Sequence, residues 1–180
     1  FLSYAAFDTQ SDGSTGTHPS TAKQFKLAEF LKSELQALGI GEVVLTDKSY
    51  VYAKLPATPG LEHIPALGFI AHLDTSDAAS GADVKPQIIE NWDGKPITLG
   101  TSGIAIMPEA HLKGHTLITT DGTTLLGGDD KAGIAIIMTV AAELTGQKIP
   151  HGPLCICFTP DEEIGEGADF FDVPFFGADF

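Results

Sequence analysis

Apolar positions along this 180-residue chain fall into two kinds of run, one spaced like a helix face and one compact enough for a buried strand. Leu27, Leu31, Leu35 and Leu38 share one helical stripe. Thr21 and Gln24 stand at capping-box spacing ahead of it, and Gly39 is placed to stop it. Two short strands are expected next, near Val43–Leu45 and Tyr50–Leu55, with Asp47-Lys48-Ser49 as their turn. ALGFIA (Ala66–Ala71) and LCICFT (Leu154–Thr159) are unbroken apolar runs, as expected of strands buried on both faces. Between them Thr116–Thr119 reads as a further strand. Lys131–Leu144 reads as a helix that is apolar nearly all round, through Ile134, Ile136, Ile137, Met138 and Val140, which predicts burial against a sheet. From Thr75 to His115 no period is legible; a stretch this long in a compact domain carries function or hides short strands. Strand, helix, strand in this order predicts an α/β domain with part of its sheet parallel.

Composition narrows the picture. Hydrophobic residues make up 43% and charged residues 19%, which is globular rather than disordered. The net charge is −14 and all ten basic residues are lysines. A nucleic-acid partner needs a basic face, and this chain offers the reverse. No apolar run is long enough for a membrane span. Cys155 and Cys157, two apart on a predicted strand, share a face and are badly placed to bridge each other. Two thiols without a framework fit a reducing compartment. The chain starts at Phe1 and stops at Phe180 in mid-phrase, so it is read as a piece of a longer protein.

Three polar clusters each follow or close an apolar segment: His72-x-Asp74, Asp129-Asp130 and Glu162-Glu163. In open α/β sheets, sites gather beyond the carboxyl ends of the strands, so three distant stretches can deliver imidazole and acid groups to one place. Taken singly each has a bland reading: an HxD string is common, an Asp-Asp pair ahead of a helix is most often a cap, and adjacent glutamates after a strand are usually solvated. Taken together they suit zinc, which accepts imidazole and carboxylate ligands, and a cation would relieve the repulsion of paired carboxylates. His72 and Asp74 can point the same way in extended backbone, letting Asp74 hold the far ring nitrogen. Glu162 and Glu163 point apart, so one can bind metal while the other faces a water. Phosphate binding at Gly127-Gly128 is disfavoured, because the spaced glycines and GK[ST] ending of a P-loop are missing.

The strings GFIAHLDTS (Gly68–Ser76), TLITTDGTTLLGGDDKAG (Thr116–Gly133) and FTPDEEIGEG (Phe158–Gly167) closely resemble the M20 metallopeptidase family, and within it the tripeptide aminopeptidases. The likeness runs over essentially the whole chain. It implies a catalytic domain with a central mixed, largely parallel sheet flanked by helices, of which residues 1–180 are the amino-terminal part. The carboxyl-terminal part and an inserted lid or dimerisation domain would be absent. The resemblance further implies two zinc ions per subunit, with His72 a ligand of one, Asp129 the bridging carboxylate and Glu163 a ligand of the other. Asp74 would orient His72, and Glu162 would be the general base. A cis peptide is implied between Asp129 and Asp130. A further aspartate and a late histidine ligand would lie beyond Phe180, so that this piece alone would be inactive. His111, His115 and His151 do not match that late ligand and read as ordinary loop histidines, and Lys131 as a structural or substrate-facing residue. The implied partners are short peptide substrates and a second subunit in a homodimer, and the implied location is the cytoplasm. Two rival readings are a related dipeptidase or carboxypeptidase, and a non-catalytic unit with weak metal sites.

Overall fold

The computed structural model describes residues 1–180. A single-turn helix, α1 (Leu2–Ala5), is followed by α2 (Gln24–Ala37), then strands β1 (Glu42–Leu45), β2 (Val51–Leu55) and β3 (Leu67–His72). The stretch without a legible period holds short strands β4 (Pro86–Ile89), β5 (Ile97–Thr98) and β6 (Ala105–Ile106), and leads to β7 (Leu117–Thr120). Helix α3 (Gly128–Gly146), strand β8 (Leu154–Thr159) and the short α4 (Val173–Phe176) complete the chain.

The central sheet has the order β1-β2-β8-β3. β3 pairs with β8 in parallel, whereas β1 with β2 and β2 with β8 are antiparallel. The sheet is therefore mixed, and its parallel share is smaller than the resemblance implies: only the β3–α3–β8 crossover generates parallel neighbours, and the β1–β2 hairpin adds the rest. β4 with β7 and β5 with β6 form two small antiparallel ribbons.

Strand alternation sorts the core into two layers. Val51, Ala53, Leu55, Leu154, Ile156 and Phe158 face α2 and α3, where Leu27, Leu31, Leu35, Ile134, Ile137 and Met138 meet them. The other face carries Tyr50, Tyr52, Cys155 and Cys157, covered by Phe176 with Phe171 and Phe175. The two cysteines share that face as unbridged, buried thiols. No helix is long and apolar enough to cross a membrane.

Three expectations are corrected. α2 begins at Gln24 without a side-chain cap, because the Gln24 amide is drawn to Asp161 instead. α3 is buried on one face only: Ile134 and Ile137 are covered while Ile136 is 65% exposed, since nothing packs on its outer side. β3 is the edge strand of the sheet, so Leu67 and Ile70 are exposed and only its last residues, Ala71 and His72, are buried.

Candidate functional site

Parallel strands β3 and β8 end side by side, with His72 opposite Thr159. Three segments converge beyond those ends: His72-Leu73-Asp74, the first residues of α3, and a one-turn 3-10 helix at Glu162–Ile164. All five side chains singled out by the sequence lie in this corner.

His72 is at its centre. Its Nε2 lies 3.0 Å from Asp129 Oδ1 and 3.7 Å from Glu162 Oε2. On the other side of the ring, Nδ1 lies 3.0 Å from the Asp74 carbonyl oxygen and 3.2 Å from Asp74 Oδ1. Asp74 is fully buried, and its carboxylate also accepts the backbone N–H groups of Glu162 at 3.0 Å and Glu163 at 3.1 Å. One carboxylate thus fixes the imidazole and the acidic turn together.

Asp129 and Asp130 are joined by a cis peptide and are non-helical in φ and ψ, so the regular helix begins only after them. Asp130 does act as a cap. It accepts the Gly133 N–H at 3.1 Å and the His72 N–H at 3.3 Å, tying the start of α3 to the end of β3. Asp129, by contrast, projects into solvent, with its side chain 85% exposed. Lys131 is buried, and its Nζ donates to the Phe7 carbonyl at 2.6 Å, a structural use.

The electrostatics of the corner are those of crowded acids. Burial disfavours the charged form of His72, yet the hydrogen bond and charge of Asp74, with Asp129 and Asp130, push its pKa up to about 9. Burial and the neighbouring Asp129, Asp74 and Glu162 raise the Glu163 carboxyl above its usual range, against the pull of His72. Asp74 is held below its usual range: burial opposes this, but hydrogen bonds from His72, Ser11 and the Glu162 N–H prevail. Donor atoms of His72, Asp129 and Glu163 all lie within 4.8 Å of one another. One nitrogen and carboxylate oxygens on converging side chains form a donor set that fits a zinc-class divalent cation, whose charge would offset the acids.

The other histidines singled out by sequence do not join this cluster. His111 faces Glu109 at 3.1 Å on the surface, His115 is exposed ahead of β7, and His151 turns to its neighbour Gly152. Sequence reasoning missed Asp161. Its buried carboxylate accepts from the Ser20 N–H, the Ser20 hydroxyl and the Gln24 amide at 2.8, 2.5 and 2.6 Å. An acid directly before Glu162-Glu163 was the available signal. Beside Glu162 runs an open groove of about 460 Å³, lined in part by Ile70, Ala168, Phe171 and Val173.

No family model matches the chain. It is 54% identical over 184 residues to the peptidase T of Aliivibrio fischeri, covering 99% of this chain and 45% of that protein. Against the peptidase T of Desulfitobacterium hafniense the identity is 54% over 187 residues, covering 100% of this chain and 45% of the relative. The chain thus spans somewhat under half the length of these curated relatives. Among solved structures, a tripeptidase from Staphylococcus aureus superposes with a TM-score of 0.66 at 26% identity, covering 99% of this chain and 40% of that one. The aminopeptidase PepT of Bacillus cereus superposes with a TM-score of 0.72 at 24% identity and the same two coverages, 99% and 40%, a likeness of fold. Along essentially its whole length, then, the chain shares more than half of its residues with proteins named peptidase T.

Proposed function

We propose that the protein is a zinc-dependent exopeptidase that releases the amino-terminal residue from short peptides, chiefly tripeptides. The observation that carries this reading is the convergence of His72 Nε2, Asp129 and Glu163 donors within 4.8 Å of one another, with the Glu162 carboxylate 3.7 Å from the same imidazole nitrogen. The kinship with proteins named peptidase T and the likeness to the Staphylococcus aureus tripeptidase support the substrate class.

His72, Asp129 and Glu163 would hold the divalent ions, two per subunit. When bound, such ions polarise a scissile carbonyl and lower the pKa of a nearby water. The chain's own residues do the rest. Asp74 holds His72 Nδ1 and keeps Nε2 turned outward. Through its two backbone bonds it also fixes where the Glu162 side chain starts. The Glu162 carboxylate is 60% exposed and so reaches a water beside the cluster. It takes the proton of the attacking water and passes it to the nitrogen of the leaving amine. The apolar side of the groove next to Glu162 would accept a substrate side chain. Two buried thiols without a disulfide suit a reducing compartment, and we assign the enzyme to the cytoplasm.

The test is Glu162→Ala in the protein of full encoded length, assayed on a tripeptide, its amino-acetylated form and a dipeptide. The variant should keep its metal and lose about 10²–10⁴-fold in turnover, and the acetylated peptide should resist the parent enzyme. Near-normal turnover in the variant removes Glu162 from the mechanism. Preferred cleavage of the dipeptide, or release of the carboxyl-terminal residue, moves the protein to another specificity.

A further inference from the structure

A second convergence of ligating side chains is made by His18, Asp161 and Glu166. Their donor atoms also fall within 4.8 Å of one another. His18 comes from the loop ahead of α2, whereas Asp161 and Glu166 bracket the turn, tied to each other by the Glu166 N–H on the Asp161 carbonyl at 3.0 Å.

His18 is the anomalous member. Its side chain is 7% exposed, and both ring nitrogens are buried without a hydrogen-bond partner. Buried imidazole nitrogens are ordinarily satisfied, and an orphan needs an explanation. Nδ1 faces Asp161 Oδ2 at 3.4 Å and Glu166 Oε2 at 3.8 Å, the first long and out of line for a hydrogen bond and the second too far for one. Donors around a tetrahedral zinc with bonds near 2.0–2.1 Å stand about 3.4 Å apart, which the His18–Asp161 separation matches, while Glu166 at 3.8 Å stands slightly wider.

The surroundings hold the donors ready. The His18 ring stacks on Tyr50 at 5.9 Å and 16° and lies 4.7 Å from Phe170, which fixes its plane. Asp161 Oδ1 is occupied by the Ser20 hydroxyl and the Gln24 amide. Oδ2 accepts only the Ser20 N–H, which leaves it a lone pair. Glu166 is 43% exposed, an approach from solvent.

We propose that His18, Asp161 and Glu166 form a further divalent-cation site, separate from the cluster at His72, that fastens the loop ahead of α2 to both ends of the Glu162 turn. One imidazole and two carboxylates select a zinc-class ion over calcium or magnesium, which prefer all-oxygen shells. The site is independent of peptide hydrolysis: it needs only the geometry of the turn.

The experiment is a titration of the metal-stripped full-length protein with Co²⁺ alone, read by visible absorbance and by calorimetry. The background is Asp129→Asn/Glu163→Gln, which weakens the His72 cluster at two exposed positions. One Co²⁺ per chain should bind in that background, be lost on adding His18→Gln, and bind at least tenfold more weakly on adding Glu166→Gln. Circular dichroism checks the fold of each variant. Should His18→Gln fail to fold, Glu166→Gln, at an accessible carboxylate, decides alone. No bound Co²⁺ in the background, or an ion indifferent to these substitutions, overturns the site and leaves His18 in a plain ion pair. Neither outcome bears on whether the parent cleaves tripeptides.

Discussion

Asp161 has a fully buried carboxylate on left-handed backbone at φ 56°, a conformation that aspartate and asparagine tolerate better than most residues. Asp161→Asn therefore keeps the backbone and changes only the chemistry. One oxygen that accepts becomes an amide that donates, facing the Ser20 N–H or the Ser20 and Gln24 side-chain donors. An acceptor lost to buried donors costs about 1–3 kcal/mol, so the urea midpoint should fall correspondingly. Gly133 makes a different kind of demand. A Cβ there would run into the Asp130 carboxylate, the group that caps α3 and accepts the His72 N–H. Gly133→Ala should push Asp130 aside and slacken the join between β3 and α3, with the Zn²⁺ affinity of the His72 cluster falling about tenfold, the order seen when groups supporting a ligand are lost, and metal content falling with it at limiting Zn²⁺. Unchanged metal content would mean that Asp130 gives way without moving His72 or Asp129.

At the scale of elements, legibility followed burial. LCICFT was readable to the residue as β8 because it is covered on both faces along its whole length. ALGFIA is likewise an unbroken apolar run but forms an edge strand with exposed Leu67 and Ile70, and its apolar pattern alone does not distinguish the two. The three clusters were readable because each interrupts an apolar segment with acids or imidazole. Asp161 and His18 were not, because their roles depend on a contact across more than 140 positions, which no local pattern encodes. The strands between Thr75 and His115 escaped notice because they are two to four residues long, below the reach of a period-2 signal. β8 also carries a prediction. Cys155 and Cys157 lie under the aromatic cover of Phe176, Phe171 and Phe175, and burial raises both thiols above their ordinary pKa. Few thiolates and little access mean little reactivity. Native protein at pH 8 should leave both unlabelled by an aromatic disulfide reagent over the minutes in which urea-unfolded protein reacts at both.

The whole molecule can be read through its three tyrosines, because between them they report both faces of the sheet. Tyr4 packs with the helices over one face of the sheet, and burial together with Glu34 raises its phenol. Tyr50 and Tyr52 lie in the aromatic layer on the other face, stacked on each other at 6.1 Å. Burial raises Tyr50, against the hydrogen bond from the Phe170 N–H, and raises Tyr52 to about 12 against that from the Asp172 N–H. The unfolded chain releases these protons near the ordinary tyrosine value of about 10. Between that value and the native ones the folded state holds more protons than the unfolded state, so stability falls as pH rises. Below the unfolded value the tyrosines contribute no slope; the decline sets in near pH 10, and the share of each phenol ends as pH passes its native value, about 12 for Tyr52. Phenolate absorbance at 295 nm should therefore show no tyrosine titrating near pH 10 in native protein. All three should titrate there in urea, and in buffer they should appear together with loss of the far-ultraviolet helix signal. A phenolate that forms near pH 10 while the helix signal is intact would mean that one face of the sheet opens to water independently of the other. The two layers would then be separable units rather than one cooperative core.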